Sequence, residues 1–171
     1  MLQKLSGVER VLVTGGAGFI GSNLVRMLVA GKCQVLNFDK LTYAGNALSL
    51  VDLPESQHEL LVADITDASA LKAAFQRFKP QAVMHLAAES HVDRSIDGPG
   101  EFIQTNVVGT LKMLEAATEY WRSLEEEAAV RFRFHHISTD EVYGSLGETG
   151  KFTETTPYDP HSPYKIGRAH V

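Results

Sequence analysis

Cysteine is almost missing from this chain: Cys33 is the only one, so no disulfide can form within it. A lone thiol makes a reducing compartment the default, and a cytosolic location is expected. Long apolar runs are missing too, and none approaches the length that spans a bilayer, so no membrane partner is expected. Met1-Leu2-Gln3-Lys4-Leu5-Ser6 holds no hydrophobic signal stretch. Neither sign of charge is scarce: 16 lysines and arginines are interspersed with 21 acids, for a net charge of −5. That pattern gives no sign of a nucleic-acid surface. There is no internal repeat and no low-complexity linker. What remains is an ordinary globular composition, 44% apolar and 22% charged over 171 residues, enough for one domain with a full core.

The organising stretch is Arg10-Val11-Leu12-Val13-Thr14-Gly15-Gly16-Ala17-Gly18-Phe19-Ile20-Gly21-Ser22. Val11 to Val13 is an apolar, β-branched run of the length of a buried parallel strand. From Phe19 the apolar residues recur at helical spacing through Leu24, Val25, Leu28 and Val29. Gly15, Gly18 and Gly21 therefore lie where a strand turns into a helix. Gly15 permits the tight turn, Gly18 close approach of backbone to a pyrophosphate, and Gly21 close contact of helix and strand. The helix N-terminus offers unpaired N–H groups to phosphates. The next apolar run, Gln34 to Phe38, ends in Asp39. A carboxylate there accepts both hydroxyls of an adenosine ribose and repels a 2′-phosphate, so NAD is expected rather than NADP.

Further along, Ala47 to Val51 reads as a short helix, His58 to Ala63 as a third strand ending in Asp64-Ile65, and Thr66-Asp67 as a helix cap. Pro80 stops that helix. Gln81 to Leu86 is a fourth strand, with Ala87-Ala88-Glu89-Ser90-His91 as the loop at its end. One long helix is expected from about Glu101 to Ala129, with Phe102, Val107, Leu111, Leu114 and Ala117 in the core and the Glu125-Glu126-Glu127 run solvated. Val130 to Ile137 is a fifth strand that delivers Ser138-Thr139-Asp140-Glu141. Alternating strands and helices argue an α/β, Rossmann-type, doubly wound parallel sheet in the order 3-2-1-4-5. Ligands of such sheets bind beyond the strand C-termini.

Several stretches together resemble the extended short-chain dehydrogenase/reductase family acting on nucleotide sugars, and within it the dTDP-glucose 4,6-dehydratases. They are Thr14 to Ser22, Asp39-Lys-Leu-Thr-Tyr-Ala-Gly-Asn46, His85-Leu-Ala-Ala-Glu-Ser-His-Val-Asp-Arg-Ser95, Thr105-Asn106 and Ser138-Thr-Asp-Glu-Val-Tyr-Gly144. The resemblance runs from about Arg10 to Tyr164, and the adjacent Asp140-Glu141 pair is its most discriminating piece. It implies NAD lined by Gly15, Gly18, Phe19, Ile20, Gly21, Asp39, Lys40, Leu41, Thr42, Asp64, Ile65, Leu86, Ala87, Ala88, Glu89, Ser90 and Thr105. It also implies a nucleotide-sugar substrate touched by Ser90 and Thr139, and a homodimer for the full-length form.

The implied reaction moves hydride from C4 of the sugar to NAD, eliminates water across C5 and C6, and returns the hydride to C6. Elimination needs a base and an acid at once, so two carboxyls must hold different protonation states. By the resemblance Glu141 is the base at C5, Asp140 the acid at C6, and Thr139 bonds the C4 hydroxyl. Tyr164, as tyrosinate, takes the C4 hydroxyl proton. The family places a lysine four residues after that tyrosine; here the position holds Arg168, which keeps the charge but presents a planar donor set. Lys165 to Val171 is the translation of AAG ATC GGA AGA GCA CAC GTC, the start of a common sequencing-library adapter. The expected organisation is therefore an incomplete NAD-binding domain over 1–164 and a non-native tail over 165–171. The sheet is expected to be truncated after about the fifth strand, with the family's substrate-binding domain absent. Other readings of the chain are a related epimerase or decarboxylase, or an inactive NAD-binding remnant. No metal is expected, because His135 and His136 are consecutive on a strand and face opposite sides. Ser138 has no histidine-acid relay at a recognisable spacing.

Overall fold

The computed structural model describes residues 7–90 and 98–161. Five parallel strands form one sheet: β1 (Arg10–Thr14), β2 (Gln34–Asp39), β3 (His58–Val62), β4 (Ala82–His85) and β5 (Arg133–His136). Their order is β3-β2-β1-β4-β5, as the alternation of strand and helix predicts. In β1, Val11 pairs with Val35 of β2 on one side and Ala82 of β4 on the other, and Thr14 pairs with Phe38 and His85. The chain winds outward from β1 to β3 and then returns to the other side of β1. The C-terminal ends of β1 and β4 therefore flank the crevice where the winding reverses.

The central strand is apolar at Val11, Leu12 and Val13 because both its faces are covered. Leu12, Leu36, Phe38 and Val83 pack on Leu71, Ala74 and Phe75 of α2 (Ala68–Phe78) and on Met113 and Ala117 of α4 (Thr110–Arg122). Val11, Val13 and Val35 pack on Val25, Leu28 and Val29 of α1 (Phe19–Ala30). Asp67 caps α2, its carboxylate accepting from the N–H groups of Ser69 at 2.9 Å and Ala70 at 3.0 Å, worth about 1 kcal/mol. A 3₁₀ turn covers Ala47–Leu50, a second Asp140–Tyr143.

The helical stretch after β4 departs from expectation twice. It opens with α3 (Pro99–Phe102), passes through a π-helical segment (Ile103–Gly109) and continues as α4. The wider turn turns Phe102, Asn106, Gly109, Thr110, Met113 and Ala117 inward. Val107 and Leu111, expected in the core, are 39% and 50% exposed, and Leu114 is half-buried. The helix then ends at Arg122 rather than near Ala129. Glu125 is extended, and α5 (Glu126–Arg131) follows with Glu126 and Glu127 in its first turn. Acids in a first turn favour a helix N-terminus. They outweigh the β-propensity of Val130, which lies exposed in that helix, and β5 begins only at Arg133.

Candidate functional site

A cavity of about 490 Å³ opens at the C-terminal edge of the sheet, between the ends of β1, β2, β3 and β4. The glycine turn forms its floor. Gly15 has φ +72°, and a Cβ there would lie 2.7 Å from Ala87 N, so both its conformation and its neighbour require glycine. At Gly18 an added Cβ would meet only Gly15 O, at 3.3 Å. That residue also precedes the first turn of α1, whose N–H groups have no partner within the helix. A Cβ on Gly21 would fall 2.1 Å from Gly15 O and 2.7 Å from Gly16 Cα. Its role is thus contact between the helix and its own preceding turn, a closer partner than the strand expected from spacing. Phe19 and Ile20 line the cavity and are exposed, at 88% and 67%.

Asp39 is buried at the end of β2 and holds two loops by its carboxylate. Oδ2 accepts from the Ala17 N–H and Oδ1 from the Leu41 N–H, both at 2.8 Å. Leu41 itself, at φ +53°, is not on the cavity wall; its amide supports Asp39 instead. Lys40 and Thr42 do line the wall, as do Asp64 and Ile65 from the end of β3. Lys40 Nζ lies 2.7 Å from Asp64 Oδ2, and Asp64 Oδ1 accepts from the Thr66 N–H at 2.9 Å. Partial burial pushes the Asp64 carboxyl up; the bonds from Lys40 and Thr66 outweigh it and hold the carboxyl below the ordinary aspartate value. The same pairing raises Lys40.

The opposite wall is the loop after β4, with Leu86, Ala87, Ala88, Glu89 and Ser90, and with Thr105 from the π-helical segment. Asn106, almost fully buried, grips this loop at one residue: its Oδ1 accepts from the Glu89 N–H and its Nδ2 donates to the Glu89 carbonyl, both at 2.9 Å. Across the mouth, Tyr43 Oη donates to Glu89 Oε2 at 3.1 Å. From the end of β5, Ile137 and Ser138 complete the lining. Thr139, Asp140 and Glu141 follow at once. Thr139 Oγ1 accepts from the Glu141 N–H at 3.3 Å and donates to Asp140 Oδ1 at 3.4 Å, which caps the 3₁₀ turn. Asp140 is exposed and Glu141 half-buried. The acid pair and the glycine turn thus share one rim of the sheet. Tyr164 and the segment 165–171 lie outside the described residues.

Four contributors had no task assigned in the sequence. Gly16 sits against Asn37, whose Oδ1 would be 2.3 Å from a Cβ at that position. Asn37 is fully buried, and both its side-chain polar atoms lack a hydrogen-bond partner among the described residues. Asn106 stands in a motif of the resemblance without an assigned task, and only the fold shows that it holds Glu89. Thr14 closes the turn from below, its Oγ1 accepting from the Ala87 N–H at 3.2 Å.

This geometry can be set beside known proteins. The family model described as GDP-mannose 4,6 dehydratase matches residues 12–171. A dTDP-glucose 4,6-dehydratase of Xanthomonas campestris is 57% identical over 159 residues, which are 92% of this chain and 45% of that relative. Among solved structures, DesIV, a dTDP-glucose 4,6-dehydratase from Streptomyces venezuelae with NAD and TYD bound, superposes with a TM-score of 0.81 at 44% identity. The match covers 94% of this chain and 48% of that one. A Thermus thermophilus UDP-glucose 4-epimerase in complex with NAD gives 0.80 at 33% identity, over 94% and 47%. The chain spans about half the length of these relatives. With a family model matched over nearly all of its length, the chain belongs to the GDP-mannose 4,6 dehydratase family.

Proposed function

We propose that this chain is the dinucleotide-binding part of a dTDP-glucose 4,6-dehydratase, with NAD in the cavity at the switch point. The observation that carries the reading is the shared rim: a glycine turn open at Gly18, an acid on the cavity wall at Asp39, and the Thr139-Asp140-Glu141 run beginning where Ser138 leaves that wall. Relatives of similar fold hold NAD. The Gly18 position leaves space for a diphosphate to approach the first turn of α1. NAD would supply the hydride acceptor at C4 of the sugar and the donor at C6.

The chain's own residues then divide the work. Asp39, already fixed by two backbone N–H groups, keeps lone pairs for ribose hydroxyls and repels a 2′-phosphate. Glu141 takes the C5 proton and Asp140 protonates the departing C6 hydroxyl, while Thr139 and Ser90 orient the sugar. Tyr164 takes the C4 hydroxyl proton. An epimerase has no water to eliminate, and the adjacent acid pair favours the dehydratase over it. In the longer protein we assign the apolar row Ile103, Val107 and Leu111, exposed on the outer side of the helix, to contact with a second copy. A cytosolic location belongs to the same reading, as does a native part ending at 164.

Two measurements test it. Isothermal titration of this chain with NAD should show one site, with NADP bound far more weakly; equal affinities would overturn the role of Asp39. The full-length protein incubated with dTDP-glucose should yield a 4-keto-6-deoxy sugar by NMR, and an epimer as product would overturn the dehydratase reading. This chain alone should bind NAD without turnover.

A further inference from the structure

His85 is the last residue of β4 and is completely buried, yet it takes no part in the chemistry above. Its Nδ1 lies 2.6 Å from Thr14 Oγ1 and its Nε2 3.1 Å from Thr110 Oγ1. A singly protonated imidazole donates at one nitrogen and accepts at the other, and each hydroxyl can do either, so the three groups satisfy one another. Thr14 Oγ1 also accepts from the Ala87 N–H. Ala87 N is in turn the atom nearest to where a side chain on Gly15 would stand. On the far side, Thr110 opens α4 directly after the segment carrying Asn106, which holds Glu89 through both its N–H and its carbonyl.

We infer that His85 is a positioning residue for the dinucleotide cleft: through Thr14 it keeps the Ala87–Glu89 loop in register with the glycine turn. The inference rests on reading the cleft as an NAD site. The closed circuit carries it. Ala87 is tied to β1 through Thr14, Glu89 to the helix through Asn106, and His85 joins β1 to that same helix. A buried imidazole needs a partner at each nitrogen in any case; here the partners are the hydroxyl that holds the Ala87 N–H and the one that opens the helix after Asn106. Contact of its ring with Phe134 and His136, at centroid distances of 6.0 and 5.2 Å, sets its tilt but reaches neither loop.

Two substitutions separate positioning from filling. An asparagine amide reaches the place of Nδ1 and a glutamine amide that of Nε2. His85→Asn therefore keeps the bond to Thr14, and His85→Gln keeps only the bond to Thr110. Both should lower the melting temperature. At a temperature where both are folded, the NAD dissociation constant should rise about tenfold in His85→Gln and stay within about threefold of wild type in His85→Asn. Amide exchange followed by NMR should show the Ala87 N–H losing protection in His85→Gln alone. Equal NAD affinities together with equal Ala87 protection in the two variants would overturn the inference. If wild-type chain does not bind NAD, the reading of the cleft fails instead, and Ala87 exchange still decides the role of His85.

Discussion

The two ends of the sheet carry cavities of nearly equal size and opposite character. At the C-terminal edge the space is about 490 Å³; at the N-terminal edge another of about 480 Å³ lies among Val8, Arg10, Lys79, Gln81, Tyr120 and Arg133. By volume and charge the N-terminal cavity has the makings of an anion site. Its arginines and its tyrosine, however, are tied to neighbouring groups of the protein. Arg10 Nε donates to the Lys79 carbonyl at 3.0 Å, and Arg133 Nη1 donates to the Val130 and Phe132 carbonyls at 2.7 and 2.8 Å. Tyr120 Oη donates to the Pro80 carbonyl at 3.1 Å, and Arg131 pairs with Glu127. These cations sit at the ends of α2 and α5, where carbonyls lack partners and the helix dipole is negative. At the C-terminal edge the start of α1 faces the space, and Asp39 binds, among the described residues, the loops that frame it. Concavity alone therefore does not mark a site. What separates the two edges is whether the donors close the fold or face the opening.

The sharpest way to break this contrast is Gly21→Ala. The new methyl would overlap the Gly15 carbonyl and the Gly16 Cα, which are backbone and cannot swing aside. We expect a stability loss of about 2–3 kcal/mol by thermal or urea unfolding, and NAD affinity reduced more than about 100-fold by titration. Asp39→Asn should come next. An amide offers one oxygen where two are used, so the Ala17 or Leu41 N–H loses its acceptor, at about 1–2 kcal/mol. The ratio of NADP to NAD dissociation constants should fall with the charge, and an unchanged ratio would show that the acid does not face the ribose.

The other edge should respond differently. Arg10→Met combined with Arg133→Met removes bonds to carbonyls near helix ends and should cost about 0.5–1 kcal/mol per site. NAD affinity should not move; a loss there would mean that the edges are coupled. The smallest effect is expected at Asp64. The carboxyl of Asp64 titrates lower in the folded chain than in the unfolded one, so its contribution is complete above the unfolded value. That contribution disappears as pH falls through the folded value. Asp64→Asn should therefore lower stability modestly in the neutral region and leave it almost unchanged below the folded value, which flattens the acid limb of a stability–pH curve.

How much of this was legible in the sequence follows from the range of each interaction. The strand order, the glycine turn and Asp39 were readable because they depend on short periodicity and on adjacency at a strand end. Asp67 announced its cap for the same reason. The break between α4 and α5 was not readable, since an Ala- and Glu-rich stretch suits one helix as well as two. Val107 and Leu111 misled because apolar spacing assumes a uniform pitch, which the π-helical segment does not keep. His85, Thr14 and Thr110 are far apart in the chain, and a threonine at the end of a strand gives no hint of what it will meet. Asn37 is the extreme case: an amide inside an apolar strand reads as a fault, and only the fold shows that Gly16 lies against it.

The wide turn at Ile103–Gly109 has a consequence for how this stretch can vary. A π-helical turn amounts to one residue inserted into an ordinary helix. Deleting a residue there would regularise the backbone and, at 3.6 residues per turn, rotate everything beyond it by about 100°. Met113 and Ala117 would swing away from Phe75, and Thr110 away from β4. Side chains along this stretch can be exchanged one at a time, but the count of residues between Phe102 and Thr110 is locked.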